Sequence, residues 1–179
     1  MKKILLVCTT VFSLSLLAQE GPYISDAIIS IDKNNDLMDA YSFIEEAERI
    51  IEKKSLSEVK RKNLQKYYYY QGLINMRIHQ NKDSTIQALN PNALNEAAEF
   101  FIQSMAYEKQ TGKVKFTEMS SYNLQQCANA MFQRGAAMSD AGDKAGAADQ
   151  FLAVYTLKSE KMDPPLTDTT SLYLSLIHI

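Results

Sequence analysis

Met131-Phe132-Gln133-Arg134-Gly135-Ala136-Ala137-Met138 leads into a turn at Gly142-Asp143. Ala147-Ala148-Asp149-Gln150-Phe151-Leu152-Ala153-Val154 follows. Small and large residues fall at helical spacing on both sides of that tight turn. This is the pattern of a helix–turn–helix repeat with a period of roughly 34 residues. Gly135 lets two helices approach, Ala147 faces it twelve positions on, and Phe151 fills the core between hairpins. A chain built on such a unit stacks its hairpins, because one hairpin cannot bury its apolar face alone.

Two weaker copies lie upstream. In the first, Ile28 takes the place of Gly135, and Ala40, Ile44 and Ala47 take those of Ala147, Phe151 and Val154. The spacing from Ile28 to Ala40 is again twelve. In the second, Gly72 matches Gly135, and Ala97, Phe101 and Ser104 match the rest. The spacing there is 25, so about 13 residues are inserted at the turn. The insertion coincides with the polar stretch 79–92, where a repeat protein tolerates it.

Periodicity extends the reading to the whole chain. Gly21-Pro22-Tyr23 reads as a loop, after which Ile24, Ala27, Ile28 and Ile31 recur at helical spacing. Asn35 or Asp36 caps the next helix, whose apolar stripe is Leu37, Ala40, Tyr41, Ile44, Ala47, Ile50 and Ile51. Glu45, Glu46, Glu48, Arg49 and Glu52 read as its solvated face. Ser55-Leu56-Ser57-Glu58 reads as a capping box that opens a long helix to about Ile78. Tyr67, Tyr68, Tyr69 and Tyr70 cover every face of one turn, so at least one ring points outward while the others pack between helices. Asn90 caps the next helix, Pro91 takes its first position, and Gly112 ends it. Helices over 117–140 and 144–161 follow, the second with Ala147, Ala148, Phe151, Leu152, Val154 and Tyr155 on its apolar face, until Asp163-Pro164-Pro165 stops it. No stretch shows strand alternation, so the fold class is all-α. Residues 166–179 read as the start of a further hairpin, so the chain is expected to be a C-terminally truncated fragment. Its last residues, Ser175-Leu176-Ile177-His178-Ile179, resemble translated sequencing-adapter sequence, and no function is rested on His178.

These anchors resemble the tetratricopeptide-repeat family over residues 24–161, with units at about 22–53, 55–110 and 117–161. The third unit carries the resemblance most strongly. The large aromatic usual in the first helix is Ile24, Tyr68 and Met131 here, and the tyrosine usual near its end is Ile31, Asn75 and Met138. The resemblance implies a short right-handed solenoid whose first helices line a concave binding face. It places that groove at Tyr69, Leu73, Met76 and Arg77, then Asn129, Phe132, Ala136, Ser139 and Asp140. The family's best-defined groove clamps a terminal carboxylate with Lys, Asn and Arg. These residues do not reproduce that clamp, which argues against a chaperone-tail receptor.

The N-terminus reads as an export signal over residues 1–18. Met1-Lys2-Lys3 is basic, residues 4–17 are largely apolar, and Ala18 precedes polar Gln19-Glu20, the three parts of a secretory signal. The run is shorter than the roughly 20 apolar residues a spanning helix needs, and no transmembrane segment is expected after cleavage. The combination of signal and repeats resembles exported proteins of Bacteroidetes-type bacteria, which implies the periplasm or cell envelope of a Gram-negative cell. Two of the 19 basic residues, Lys2 and Lys3, leave with the signal, so 17 remain against 21 acidic ones. That balance argues against nucleic acid, which prefers a basic face. Cys8 leaves as well, and a lone Cys127 cannot make an internal disulfide.

Motifs that carry chemistry are missing. The sequence has no Gly-rich phosphate loop, no His-Glu-x-x-His, no Cys-x-x-Cys and no Gly-x-Ser-x-Gly elbow. His79 sits where a helix meets a polar stretch and reads as a surface residue or a helix-dipole partner. No catalytic residue, cofactor or metal is expected. The expected function is that of an exported, non-enzymatic adaptor or scaffold that binds a protein or peptide. The alternative is a structural spacer in a longer envelope protein whose activity lies beyond residue 179.

Overall fold

Helix α1 (Glu20–Ile29) and helix α2 (Leu37–Glu52) form the first hairpin of this computed structural model, which describes residues 19–161, 165 and 168–177. The expected export segment and the expected stop at Asp163-Pro164 lie outside the described residues. Gly21-Pro22-Tyr23 belongs to α1 and is not a loop. Proline is tolerated there because amides of a first helical turn have no intrahelical partner. A π-helical turn, Ser30–Asn34, ends the helix. Asn35 takes the left-handed conformation at φ 52°, which asparagine adopts more readily than most residues. Asp36 then caps α2, accepting from the Asp39 N–H at 3.0 Å.

Helix α3 (Arg61–Gln80), the short α4 (Ser84–Gln87) and helix α5 (Ala93–Thr111) make the second hairpin. Two expected helix starts are corrected. Glu58 accepts from the Ser55 N–H at 2.8 Å, but α3 begins only at Arg61, because buried Val59 pulls the intervening chain into the core. At the other end, the Asn90 side chain accepts from the Asn92 N–H at 2.9 Å and donates to Asn75 and Glu96. Those bonds hold 90–92 as a turn, so α5 starts at Ala93 and not at Pro91. Gly112 ends α5 at φ 68°.

Helix α6 (Thr117–Asp140) and helix α7 (Lys144–Thr156) make the third hairpin, and a π-helical turn, Leu157–Lys161, extends α7. Gly142 turns the chain at φ 89°, and Asp143 caps α7 through the Gly146 N–H at 2.9 Å. Helix α8 (Thr169–Ile177) packs on α7. Every regular element among the described residues is helical.

The hairpins close through small-to-large contacts. A Cβ on Gly72 would lie 2.9 Å from the Phe101 ring, and one on Gly135 would lie 3.0 Å from the Phe151 ring. Ala40, Ile44, Ala97 and Ala147 are fully buried, as the spacing predicts. The first hairpin departs by one residue. Ile24, Ala27 and Ile31 form the buried stripe of α1, and Ile28 is half-buried beside it. Leu152 also departs: it is exposed on α7. Arg134 ties two hairpins together, donating to Gln150 on α7 and, at 2.9 Å, to Asn95 on α5.

Glu20 fastens α1 to the rest. It accepts from Lys54 at 2.8 Å and from Asn63 at 2.9 Å. Burial opposes its ionisation, but the bonds from Lys54 and Asn63 outweigh it and hold the carboxyl at about 2 against an ordinary 4.5. The folded value lies below the unfolded one, so this contribution is present above pH 4.5 and is lost as pH falls towards 2. Glu20→Gln is expected to lower Tm near neutrality and to narrow the Tm difference between about pH 6 and about pH 3. A difference equal to that of the parent chain would contradict the role given to Glu20.

Candidate binding surfaces

The expected groove is divided by the fold. Tyr69, Leu73 and Arg77 of α3 come together in an open hollow of about 700 Å³ against the start of α6. Met76 does not join them: it is buried in the core between α3, α5 and α6. Phe132 is half-buried, with its ring 5.3 Å from that of Phe151, so it belongs to hairpin packing. Asn129, Ala136, Ser139 and Asp140 lie further along α6, outside the hollow. The direction of each side chain on a long helix, and not its repeat position, decides which residues share a face.

Aromatic rings build the hollow. Tyr69 stacks on Phe116 with ring centroids 4.5 Å apart and planes 7° from parallel. Tyr70 meets Phe116 edge-on at 6.1 Å. Tyr69 is nearly buried and forms the floor, donating to the Met119 sulfur at 3.7 Å. Met119 and Tyr122 of α6 stand exposed at the rim. Polar groups fix the other side: the Tyr70 hydroxyl donates to Asp32 at 2.9 Å, and Arg77 donates to the Ile31 carbonyl at 3.0 Å. Burial, then the Asp32 hydrogen bond, pushes the Tyr70 hydroxyl above its ordinary range. The tyrosine run divides differently from the expectation of an outward ring: Tyr67 and Tyr69 are buried, Tyr68 and Tyr70 are half-buried, and none is exposed, because α5 and α6 cover the turn. Phe116, Met119, Tyr122 and Asn123 escape the repeat alignment, because they lie in the first turns of α6, before its repeat anchors. Their spacing at 119, 122 and 123 is the helical signal that could have marked them.

A second concavity of about 840 Å³ opens between α2, α3 and α5. The sequence places Glu45, Glu48 and Glu52 on a solvated face, whereas they line this cleft opposite Glu96 and Glu99. Glu45 and Glu48 are half-buried. Aromatic walls come from Tyr41, Tyr67, Tyr68 and Phe100, with Phe100 edge-on to Tyr67 at 5.8 Å. Burial, then repulsion from Glu45, Glu52 and Glu96, pushes the Glu48 carboxyl up, against a hydrogen bond from the Tyr67 hydroxyl. Burial and the same carboxylate field push the Tyr41 hydroxyl up to about 12.

Other groups are chemically quiet. Cys127 is buried, and burial pushes its thiol up to about 12, far from the thiolate a nucleophile needs. His79 lies in the last turn of α3, where burial and then Arg134 push its imidazole down towards the neutral form. Among the described residues no group of three His, Cys, Asp or Glu could hold a metal ion. No helix among them is long and apolar enough to cross a membrane. No protein-family model matches the chain, and comparisons with curated proteins and with solved structures give no significant match.

Proposed function

We propose that the chain is an exported, non-enzymatic helical-repeat protein of the tetratricopeptide kind, and that it holds a protein or peptide segment in the hollow between α3 and α6. The carrying observation is the hollow itself. Its floor is the Tyr69–Phe116 stack, its rim is the exposed pair Met119 and Tyr122, and Arg77 and Asp32 supply polar ends. Rigid aromatic rings with a few fixed polar groups suit an apolar side chain flanked by backbone. The glycine-to-phenylalanine contact shared by two hairpins supports the repeat reading. The basic, apolar and small-residue order of residues 1–18 supports export.

Peptides selected from a random library against the full chain test the reading. Tyr122→Ala and Met119→Ala remove rim side chains that are exposed in the structure, so helicity is retained. Each is expected to weaken a selected peptide by about tenfold, the effect of truncating an aromatic or apolar contact at an interface. Peptides whose affinity neither change alters would overturn the assignment.

A further inference from the structure

We propose that Met119, at the rim of the hollow between α3 and α6, is a redox modification site that regulates the hollow. A peroxide converts its thioether to the sulfoxide and loosens the hold on a bound segment. This inference rests on the reading of the hollow as a peptide site. Among the described residues, Met119 and Met38 are the exposed methionines, at 43% and 50%. Met76, Met105 and Met131 are buried, and Met138 is half-buried. An oxidant must reach the sulfur, so exposure admits Met119 and Met38. Of these two, Met119 alone lines the hollow.

A second observation singles Met119 out. Its sulfur accepts from the Tyr69 hydroxyl at 3.7 Å. Tyr69 is 7% exposed, and its ring is the floor of the hollow, stacked on Phe116. The Asn123 side chain, also on the hollow, donates to the Tyr69 oxygen, which leaves the hydroxyl proton to the sulfur. A relay that runs from α6 to α3 and back to α6 therefore ends on a thioether. Thioether sulfur is a weak acceptor, so this nearly buried hydroxyl is poorly satisfied.

The oxidation needs hydrogen peroxide and no further reactant. A sulfur lone pair attacks one peroxide oxygen; the S–O bond forms and the O–O bond breaks. Sulfur gives up two electrons, and the other oxygen leaves as water once a proton passes to it. Met119 becomes the sulfoxide, a polar and chiral group. The new oxygen is one bond from the sulfur and is the stronger acceptor, so the Tyr69 hydroxyl gains the partner it lacks. The same oxygen turns an apolar rim polar. A segment that seats an apolar side chain between Met119 and Tyr122 must then desolvate the sulfoxide, and its affinity falls. Reductases return the sulfoxide to the thioether, so the change is reversible.

Limited hydrogen peroxide treatment of the full chain, followed by mass spectrometry of its proteolytic fragments, reads which methionines are oxidised. Met119 and Met38 are expected to carry oxygen, and Met76, Met105 and Met131 are not. A peptide selected against the untreated chain is then titrated into the treated one. Its affinity is expected to fall about tenfold, the size of losing one apolar contact at an interface. Treatment with methionine sulfoxide reductases for both epimers should restore it. Met38→Leu is expected to keep the parent affinity and the loss on oxidation. In Met119→Leu, whatever its own affinity, peroxide should change nothing. The Tyr69 ring resonances should shift on oxidation of the parent and not of Met119→Leu. Unchanged affinity in a chain that carries the Met119 sulfoxide, or an equal loss in Met119→Leu, overturns the regulation and leaves the peptide site standing. So does a Met119 that stays reduced while Met38 is fully oxidised. Failure of every peptide to bind the untreated chain overturns the peptide site itself, and the regulation with it.

Discussion

Phe101→Ala is expected to lower the unfolding free energy by about 3–5 kcal/mol, the range for emptying a buried aromatic site. Phe101 has no exposed surface. Its ring sits against Gly72 at a distance that leaves no room for a methyl group, and Tyr69 packs on it with centroids 6.2 Å apart. The ring therefore holds α3 against α5 and also supports the floor of the hollow. Gly72→Ala tests the same contact from the other side. In an open helix that change gains about 1 kcal/mol of helix propensity. Here the new Cβ would lie 2.9 Å from the ring, and overpacking of this kind costs about 1–3 kcal/mol. The net change is expected to be destabilising. Adding Phe101→Leu, which trims the ring edge, should make the double variant more stable than the sum of the two single changes by about 1 kcal/mol. Additive changes in chemical denaturation would contradict direct contact.

Glu108→Ala is expected to cost about 3–5 kcal/mol, because it strands the buried Phe116 amide and two part-buried ones that a charged acceptor now satisfies. Phe116, at the N-cap of α6, has no side chain that can cap the helix. Glu108 reaches across from α5 to do so. Its carboxylate accepts from the N–H groups of Lys115 at 2.8 Å, Phe116 at 2.9 Å and Thr117 at 2.9 Å, and from the Thr117 hydroxyl at 2.8 Å. A carboxylate at a helix N-terminus is also favoured by the helix dipole. Burial opposes ionisation, but the bonds from Lys115 and Phe116 outweigh it, and the carboxyl is held below the ordinary 4.5. The stabilisation is thus present above pH 4.5 and is lost as pH falls through the lowered folded value. Glu108→Gln keeps the shape, turns one acceptor into a donor and should remove that acid sensitivity. Hydrogen exchange at Phe116 and Thr117 should speed up in both variants, and parent-like protection there would rule out the cap. The effect extends to the hollow, since Phe116 carries the Tyr69 stack.

Most of the helical frame is legible in the sequence, because its signals are local. Gly112, Gly142, Asp36 and Asp143 punctuate the chain where their chemistry requires. Gly72 and Gly135 predict close helix approach, and both face phenylalanine rings. The start of α3 is not legible, since the burial of Val59 overrides the local capping signal at Ser55 and Glu58. Nor is the one-residue offset of α1, where Ile24, Ala27 and Ile31 sit closer to the core than Ile28.

The two concavities are harder to read, because each is made by side chains from distant elements. Of the residues that repeat position selects, Tyr69, Leu73 and Arg77 share one hollow, whereas Met76 is buried in the core of α3, α5 and α6. The glutamates of α2 look solvated when that helix is read alone. Only the arrival of α5, bringing Glu96, Glu99 and Phe100, turns their face into a cleft. No period within one helix carries that information.

The central claim is a stack of hairpins closed by glycine-to-phenylalanine contacts. Carbon-edited NOE spectroscopy of the full chain, with glycine and phenylalanine labelled, tests it most directly. The account predicts cross-peaks from the Gly72 Hα protons to the Phe101 ring and from the Gly135 Hα protons to the Phe151 ring. Both glycines should also show ring-current shifts away from random-coil values. Random-coil glycine shifts with neither cross-peak would contradict the hairpin stack.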